Sequence, residues 1–176
     1  NLSTGKTPSV LSLLHAVKTY EKISNSFFDY IIELPCVSPL RDHNYVNKAI
    51  EKIYNTNYDS VISYVDTGEK HPLRLKKIIN GKVKDFCKEY PEIEQKSFRQ
   101  SFEPSYIRNG AIYLVSRNCL FKKNSRIGKK TFPLIMPPEK SINIDEKFDL
   151  LMAKYLIKNG HCSNIPKKIN FYNNLK

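Results

Sequence analysis

The stretch S-I-N-I-D-E-K-F-D-L, residues 141–150, carries the side chains most able to do chemistry. It reads as a short strand-like run passing directly into a helical pattern, with Asn143 and Asp145 two positions apart and therefore on one face. Open α/β sheets gather ligand-binding groups at the carboxyl ends of their strands, and Mg2+ is usually held by one or two carboxylates completed by waters and phosphate oxygens. An acidic pair would bind a cation more strongly than Asn143 with Asp145. The amide offers a neutral oxygen or a hydrogen bond to coordinated water, and removes one full charge. Asp145 also stands where a helix beginning near Glu146 needs an N-cap, and both roles can hold together.

Other polar residues sit at the ends of apolar segments. Arg99-Gln100 precedes a proline-containing loop and then Asn109-Gly110, where glycine admits close backbone approach to a ligand. A guanidinium there suits a bidentate grip on a carboxylate, or is simply an exposed cation. His71 follows a strand and its turn, and a lone histidine is more often structural than catalytic. Glu33, flanked by Ile32 and Leu34, fits the wet end of a strand. Thr4-Gly5-Lys6-Thr7 contains G-K-T, but no strand precedes it and the first glycine of a phosphate loop is missing, so the match reads as chance.

The elements that must position these groups follow from periodicity. Thr7-Pro8 supplies an N-cap and first helical position, and Val10, Leu13, Leu14 and Val17 mark an amphipathic helix to about Ile23. F-D-Y-I-I-E-L-P (28–35) is a continuous apolar run, as in a strand covered on both faces. It stops at S-P-L-R-D (38–42). Val46, Ala49, Ile50 and Ile53 predict a second helix and D-S-V-I-S-Y-V (59–65) a second buried strand, which together make a βαβ unit. Asn80-Gly81 signals a two-residue hairpin, opening a polar excursion that ends near residue 108. Strands resume at A-I-Y-L-V (111–115) and F-P-L-I-M-P (132–137). Phe148, Leu151, Met152 and Tyr155 give one apolar face to a closing helix, stopped at Asn159-Gly160. The expected fold class is α/β, a mostly parallel sheet with flanking helices, occupying residues 1–160 before a polar tail at 161–176.

A chain of 176 residues is long enough for one domain with a sizeable core. Its four cysteines are scattered without a C-x-x-C pair, which argues against a disulfide framework and a structural zinc. No apolar run approaches the ~20 residues needed to span a bilayer, and no charged-then-apolar leader opens the sequence, so the expected location is cytoplasmic and no membrane partner is expected. The net charge of +12 favours anionic partners. The lysines are dispersed, however, and the clustered basic face with aromatic platforms that a nucleic-acid binder needs is missing; no nucleic-acid partner is expected.

Read in order, L-P-C-V-S-P-L-R (34–41), K-H-P-L-R (70–74), R-Q (99–100), N-G-A-I-Y (109–113) and S-I-N-I-D-x-x-x-D-L (141–150) resemble the acylneuraminate cytidylyltransferases, the CMP-sialic acid synthetases. The resemblance extends to about residue 160. It implies a nucleotide-diphospho-sugar transferase-like fold and a nucleotidyl transfer in which the anomeric hydroxyl of a nine-carbon keto sugar acid attacks the α-phosphate of CTP, giving the CMP-sugar and pyrophosphate with Mg2+ as cofactor. It further implies a homodimer through the 78–108 excursion. The chain corresponds to the later two-thirds of such an enzyme, lacking its N-terminal nucleotide-binding segment, so alone it is expected to be inactive.

By the same resemblance, Asp145 falls on the second aspartate of the family's D-I-D metal motif and Asn143 on the first. Arg99 falls on the arginine of R-Q, beside Gln100, with Asp145 and Arg99 in the catalytic roles. Ser38 and Arg41 belong to S-P-L-R, and Asn109 and Tyr113 fall on pocket residues. Phe121 keeps the aromatic character of a pair that closes the sugar pocket. Pro35-Cys36-Val37 replaces the family's Q-P-T, whose glutamine contacts the sugar. Two other readings stand beside this one: a synthetase for the eight-carbon keto sugar acid of lipopolysaccharide, against which N-G-A-I-Y speaks, and a truncated or degenerate paralogue that only binds or dimerises.

Overall fold

The computed structural model describes residues 4, 7–89, 91 and 102–160. Arg99, Gln100, the Gly5-Lys6 pair and the 161–176 tail lie outside the described residues. The described elements run α1 (Ser9–Ser24), β1 (Tyr30–Glu33), α2 (His43–Tyr54), β2 (Ser60–Asp66), β3 (Lys76–Ile79), β4 (Lys82–Asp85), β5 (Tyr106–Ser116), α3 (Arg117–Lys122), β6 (Thr131–Ile135) and α4 (Lys147–Lys158), with short 3-10 turns between several of them.

The fold is α/β. Four strands form one mixed sheet in the order β1-β5-β2-β6. β5 runs antiparallel to both its neighbours while β2 and β6 pair in parallel, so three of the four strands point the same way. The excursion explains the reversal. It leaves the sheet after Asp66 and re-enters at Tyr106, where Thr67 N–H donates to the Ser105 carbonyl at 3.0 Å. A chain that leaves and returns at one edge must run back antiparallel. β5 slots between β1 and β2, and the βαβ unit therefore spans an intervening strand.

The continuous apolar run of β5 is a consequence of cover on both faces. Successive side chains of a strand point to opposite sides. Leu114 joins the cluster of Ala49 and Ile53 from α2 with Val61, Ile112, Leu134 and Met136. Its neighbour Val115 joins the other cluster, with Val17 of α1, Ile31, Cys119 and Leu120. α2 is capped by Asp42, whose carboxylate accepts from Asn44 N at 3.0 Å. In α1 the predicted frame shifts by one residue, because Pro8 itself is the N-cap and the helix begins at Ser9.

Two expectations change in the fold. S-I-N-I-D is not a strand: residues 141–144 belong to no helix or strand and follow the 3-10 turn at Pro138–Lys140, tied down by Ile144 N–H donating to the Val37 carbonyl at 2.8 Å. The apolar side chains of α4 also turn outward. Phe148, Leu151 and Tyr155 are 68%, 63% and 60% exposed, and the residue that α4 buries is Ala153, packed with Leu40, Ile142, Ile144 and Leu156. A small side chain lets the helix approach the 141–145 segment closely, which leaves the larger residues on the far side. The Asn80-Gly81 hairpin forms as its turn chemistry dictates. Both residues adopt positive φ, 51° and 71°, joining β3 to β4 in the right-twisting manner of a two-residue turn.

Candidate functional site

A cleft of about 660 Å³ opens at the carboxyl edge of the sheet, lined by Val65, Lys70, Ile107–Gly110, Tyr113, Ser141, Asn143 and Asp145. One wall comes from β5 and the other from the 141–145 segment. Period-two alternation aims that segment: Ile142 and Ile144 pack against Leu40 and Ala153, while Ser141, Asn143 and Asp145 face the cleft. The alternation survives although no ladder holds it.

β5 is bent to make its wall. β2 and β5 pair as Ile62 with Tyr113 and then as Tyr64 with Arg108, so Asn109–Ile112 bulge opposite the single residue Ser63. Side chains take over the backbone groups that the ladder no longer pairs. Buried Ser63 accepts from Ile112 N–H at 2.7 Å and donates to the Ile112 carbonyl at 3.2 Å. Asn109 Oδ1 accepts from Ala111 N–H at 3.2 Å, and Arg41 Nη1 donates to the Ala111 carbonyl at 2.8 Å and the Pro35 carbonyl at 3.1 Å. Asn109 Nδ2 donates to Ser141 Oγ at 2.8 Å, joining the two walls. Gly110 has φ +73°, a left-handed conformation that a Cβ resists.

Several residues chosen from the sequence therefore build the cleft more than they face it. Arg41 is a rivet between the β1–α2 loop and the bulge, and burial pulls its pKa below the ordinary arginine value. Asn109 is 7% exposed and spends its amide inside the fold. Ser38, fully buried, donates to Asn143 Oδ1 at 3.0 Å. Tyr113 does line the cleft, and its other face is covered by the Arg126 guanidinium at 4.4 Å, which is paired with Glu33 at 2.6 Å. Phe121 is not brought to the cleft. It packs among the residues between α1 and α3, with the Arg117 guanidinium 4.1 Å over its ring and that arginine ion-paired to Glu21.

Asp145 is exposed in the cleft and free of capping duty. Glu146 is the N-cap of α4, and Asp149 Oδ2 accepts from the backbone N–H of both Asp145 and Glu146, at 3.1 and 2.9 Å. Asn143 Nδ2 donates to Asp145 Oδ2 at 2.8 Å. Among the described residues no group of three or more His, Cys, Asp and Glu gathers to cage a metal. The donor set fits a magnesium shared with a ligand: Asp145 provides one unengaged carboxylate oxygen, and the remaining positions need waters and phosphate oxygens.

His71 has a structural role. Its Nδ1 accepts from Leu73 N–H at 3.3 Å, which puts the proton on Nε2, 3.0 Å from the Glu103 carbonyl. Sequence reasoning passed over Ser63, although a serine inside an apolar strand is a visible signal of a backbone partner. It also passed over Lys70 and Arg108, the two cations that line the cleft and make no ion pair among the described residues. Nothing local marks them as neighbours.

An open α/β sheet with a mixed-charge cleft at its carboxyl edge is a ligand-binding architecture. No family model matches the chain. It is 29% identical to the post-translational flagellin modification protein B of Campylobacter coli over 135 residues, 74% of this chain and 54% of that protein. It is 24% identical to the N-acylneuraminate cytidylyltransferase of Streptococcus agalactiae serotype III over 138 residues, covering 76% and 32% of the two chains. With the N-acylneuraminate cytidylyltransferase B of Danio rerio it shares 24% over 126 residues, covering 72% and 29%. The chain is thus similar, at 24–29% identity over about three quarters of its length, to a flagellin modification protein and to N-acylneuraminate cytidylyltransferases. It spans about half the length of the first relative and about a third of the others.

Proposed function

We propose that this chain forms part of a cytidylyltransferase that joins CMP from CTP to a sialic-acid-like, nonulosonic keto sugar acid. The anomeric hydroxyl oxygen forms a bond to the α-phosphorus, the bond from that phosphorus to the β-phosphate bridge breaks, pyrophosphate leaves, and the hydroxyl proton passes to solvent. The observation that carries the reading is Asp145, exposed and uncapped at the carboxyl edge of the sheet, opposite a glycine-containing bulge held rigid by Ser63, Asn109 and Arg41.

The chemistry asks for orientation and charge neutralisation more than for covalent participation. The braced bulge offers a fixed wall against which a sugar can be oriented. Tyr113, stacked on Arg126, presents a ring face whose tilt is set by Glu33. Lys70 and Arg108 give the cleft a positive rim suited to the carboxylate and phosphates of the two substrates. Mg2+, held by Asp145 with phosphate oxygens and waters, would neutralise charge on the triphosphate. Arg99 takes the sugar carboxylate in this reading, with Gln100 beside it. The 78–108 excursion serves as the dimer contact, supported by the outward Ile78 and Val83, a cross-strand pair 78% and 67% exposed. Among the described residues no helix is long and apolar enough to cross a membrane, and the reaction is assigned to the cytoplasm, where its nucleotide is found.

The test uses the complete protein that contains this chain, with CTP, Mg2+ and a panel of nonulosonic acids, reading CMP-sugar by mass and pyrophosphate by a coupled assay. Arg99→Ala is expected to lower kcat/KM for the sugar acid about 10–100-fold, the loss of a charge-assisted contact, with CTP binding little changed. Absence of CMP-sugar with every acid would overturn the reading. It would favour a non-catalytic relative, for which the replacement of an aspartate by Asn143 already speaks.

A further inference from the structure

The amide of Asn143 has only one orientation that satisfies its neighbours. A carboxylate accepts hydrogen bonds and cannot donate, so the group 2.8 Å from Asp145 Oδ2 is the amide nitrogen. Oδ1 is then turned to the other side, where the buried Ser38 hydroxyl donates to it at 3.0 Å. Gly110 shares that side: a Cβ built on it would lie 3.6 Å from Oδ1, so this bare Cα faces the amide oxygen. Ser38 is anchored in a loop that Arg41 rivets to the sheet, which makes the orientation a property of the fold.

From this geometry we infer that Asn143 is a positioning residue for Asp145 and not a cation ligand. Its nitrogen holds one carboxylate oxygen and its own oxygen is withdrawn towards Ser38. The cleft therefore offers a divalent ion a single carboxylate oxygen. Such a site takes up a cation–polyphosphate complex, in which the ligand brings the remaining anionic oxygens, in preference to the free cation. The sequence expectation that Asn143 would supply a neutral oxygen gives way to this one. The inference deepens the cytidylyltransferase reading and rests on it for the identity of the polyphosphate, but the behaviour of Asn143 towards a bare ion is independent of it.

The probe is Mn2+ alone, titrated into the chain and followed by water-proton relaxation, with Asn143→Asp compared with the wild type. The substitution is expected to tighten free Mn2+ binding about tenfold or more, the order set by one added carboxylate a few ångströms from a divalent ion. An Asn143→Asp chain that binds Mn2+ within twofold of the wild type, whether both are weak or both tight, overturns the inference. A second measurement avoids the variant at 143. In the 15N-resolved spectrum the two side-chain amide protons of Asn143 are expected to be widely separated, because one faces a carboxylate, and Asp145→Ala should collapse that separation; an unchanged separation means that the hydrogen bond is not made and also overturns it. Failure to form CMP-sugar in the transfer assay overturns the cytidylyltransferase reading and leaves these two measurements unaffected, so the two proposals fail separately.

Discussion

Ser63→Ala isolates what holds the bulge in β5. In the wild type one hydroxyl serves both backbone groups of Ile112, at 2.7 Å to the N–H and 3.2 Å to the carbonyl, and both residues are fully buried. Alanine removes the acceptor of the Ile112 N–H at a fully buried position. Leaving such a buried donor unmade costs about 1–3 kcal/mol. The lost bond to the carbonyl adds about 0.5–1 kcal/mol, since a carbonyl tolerates under-satisfaction better than an N–H. The expected loss is about 1.5–4 kcal/mol, within the roughly 5–15 kcal/mol that a domain has, so the variant still folds. With a urea m-value of about 2 kcal/mol/M, the midpoint of unfolding should fall by about 1–2 M at unchanged m. A midpoint within about 0.3 M of the wild type, beyond the uncertainty of such extrapolations, would mean that Ile112 finds another partner, and the account of the bulge would be wrong.

Three further outcomes are expected. Gly128 lies so close to Asp59 that an added Cβ would sit 2.1 Å from the Asp59 Cβ, so Gly128→Ala should cost about 1–3 kcal/mol by overpacking, seen as a Tm lowered by roughly 2–4 °C per kcal/mol. The Asp59 carboxyl is held below the ordinary aspartate value, chiefly by the Lys123 ammonium and then by the Lys130 N–H; its stabilisation is present above about pH 4 and is lost as pH falls through the depressed value. Asp59→Asn should therefore flatten the acid limb of a stability–pH curve, and an identical limb in both proteins would remove Asp59 as its source. Val83→Lys, on the exposed hairpin, should shift a dimer towards monomer in sedimentation; a wild type that is monomeric at high concentration removes the dimer proposal instead.

Local periodicity determined much of this protein. The apolar spacing of α1 and α2, the unbroken apolar runs of β2 and β5, the Asn80-Gly81 turn and the Asn159-Gly160 stop were all legible, because each is a property of a few consecutive residues with one dominant backbone preference. The two-residue spacing of Asn143 and Asp145 also put them on one face, the one that lines the cleft. Tertiary structure decided what these pieces meet. The insertion of β5 between β1 and β2 follows from where the excursion returns, which no local pattern records. Phe148, Leu151 and Tyr155 show the period of a buried helix face and are exposed, because Ala153 is the side chain that fits against the 141–145 segment. Arg41 and Asn109 have the residue types of a binding site and are spent on the backbone of a bulge formed by strands far apart in sequence. Asn143 is the sharpest case: its type admits both a donor and an acceptor towards a ligand, and the Asp145 carboxylate together with the buried hydroxyl of Ser38, 105 positions away, fixes which end faces which.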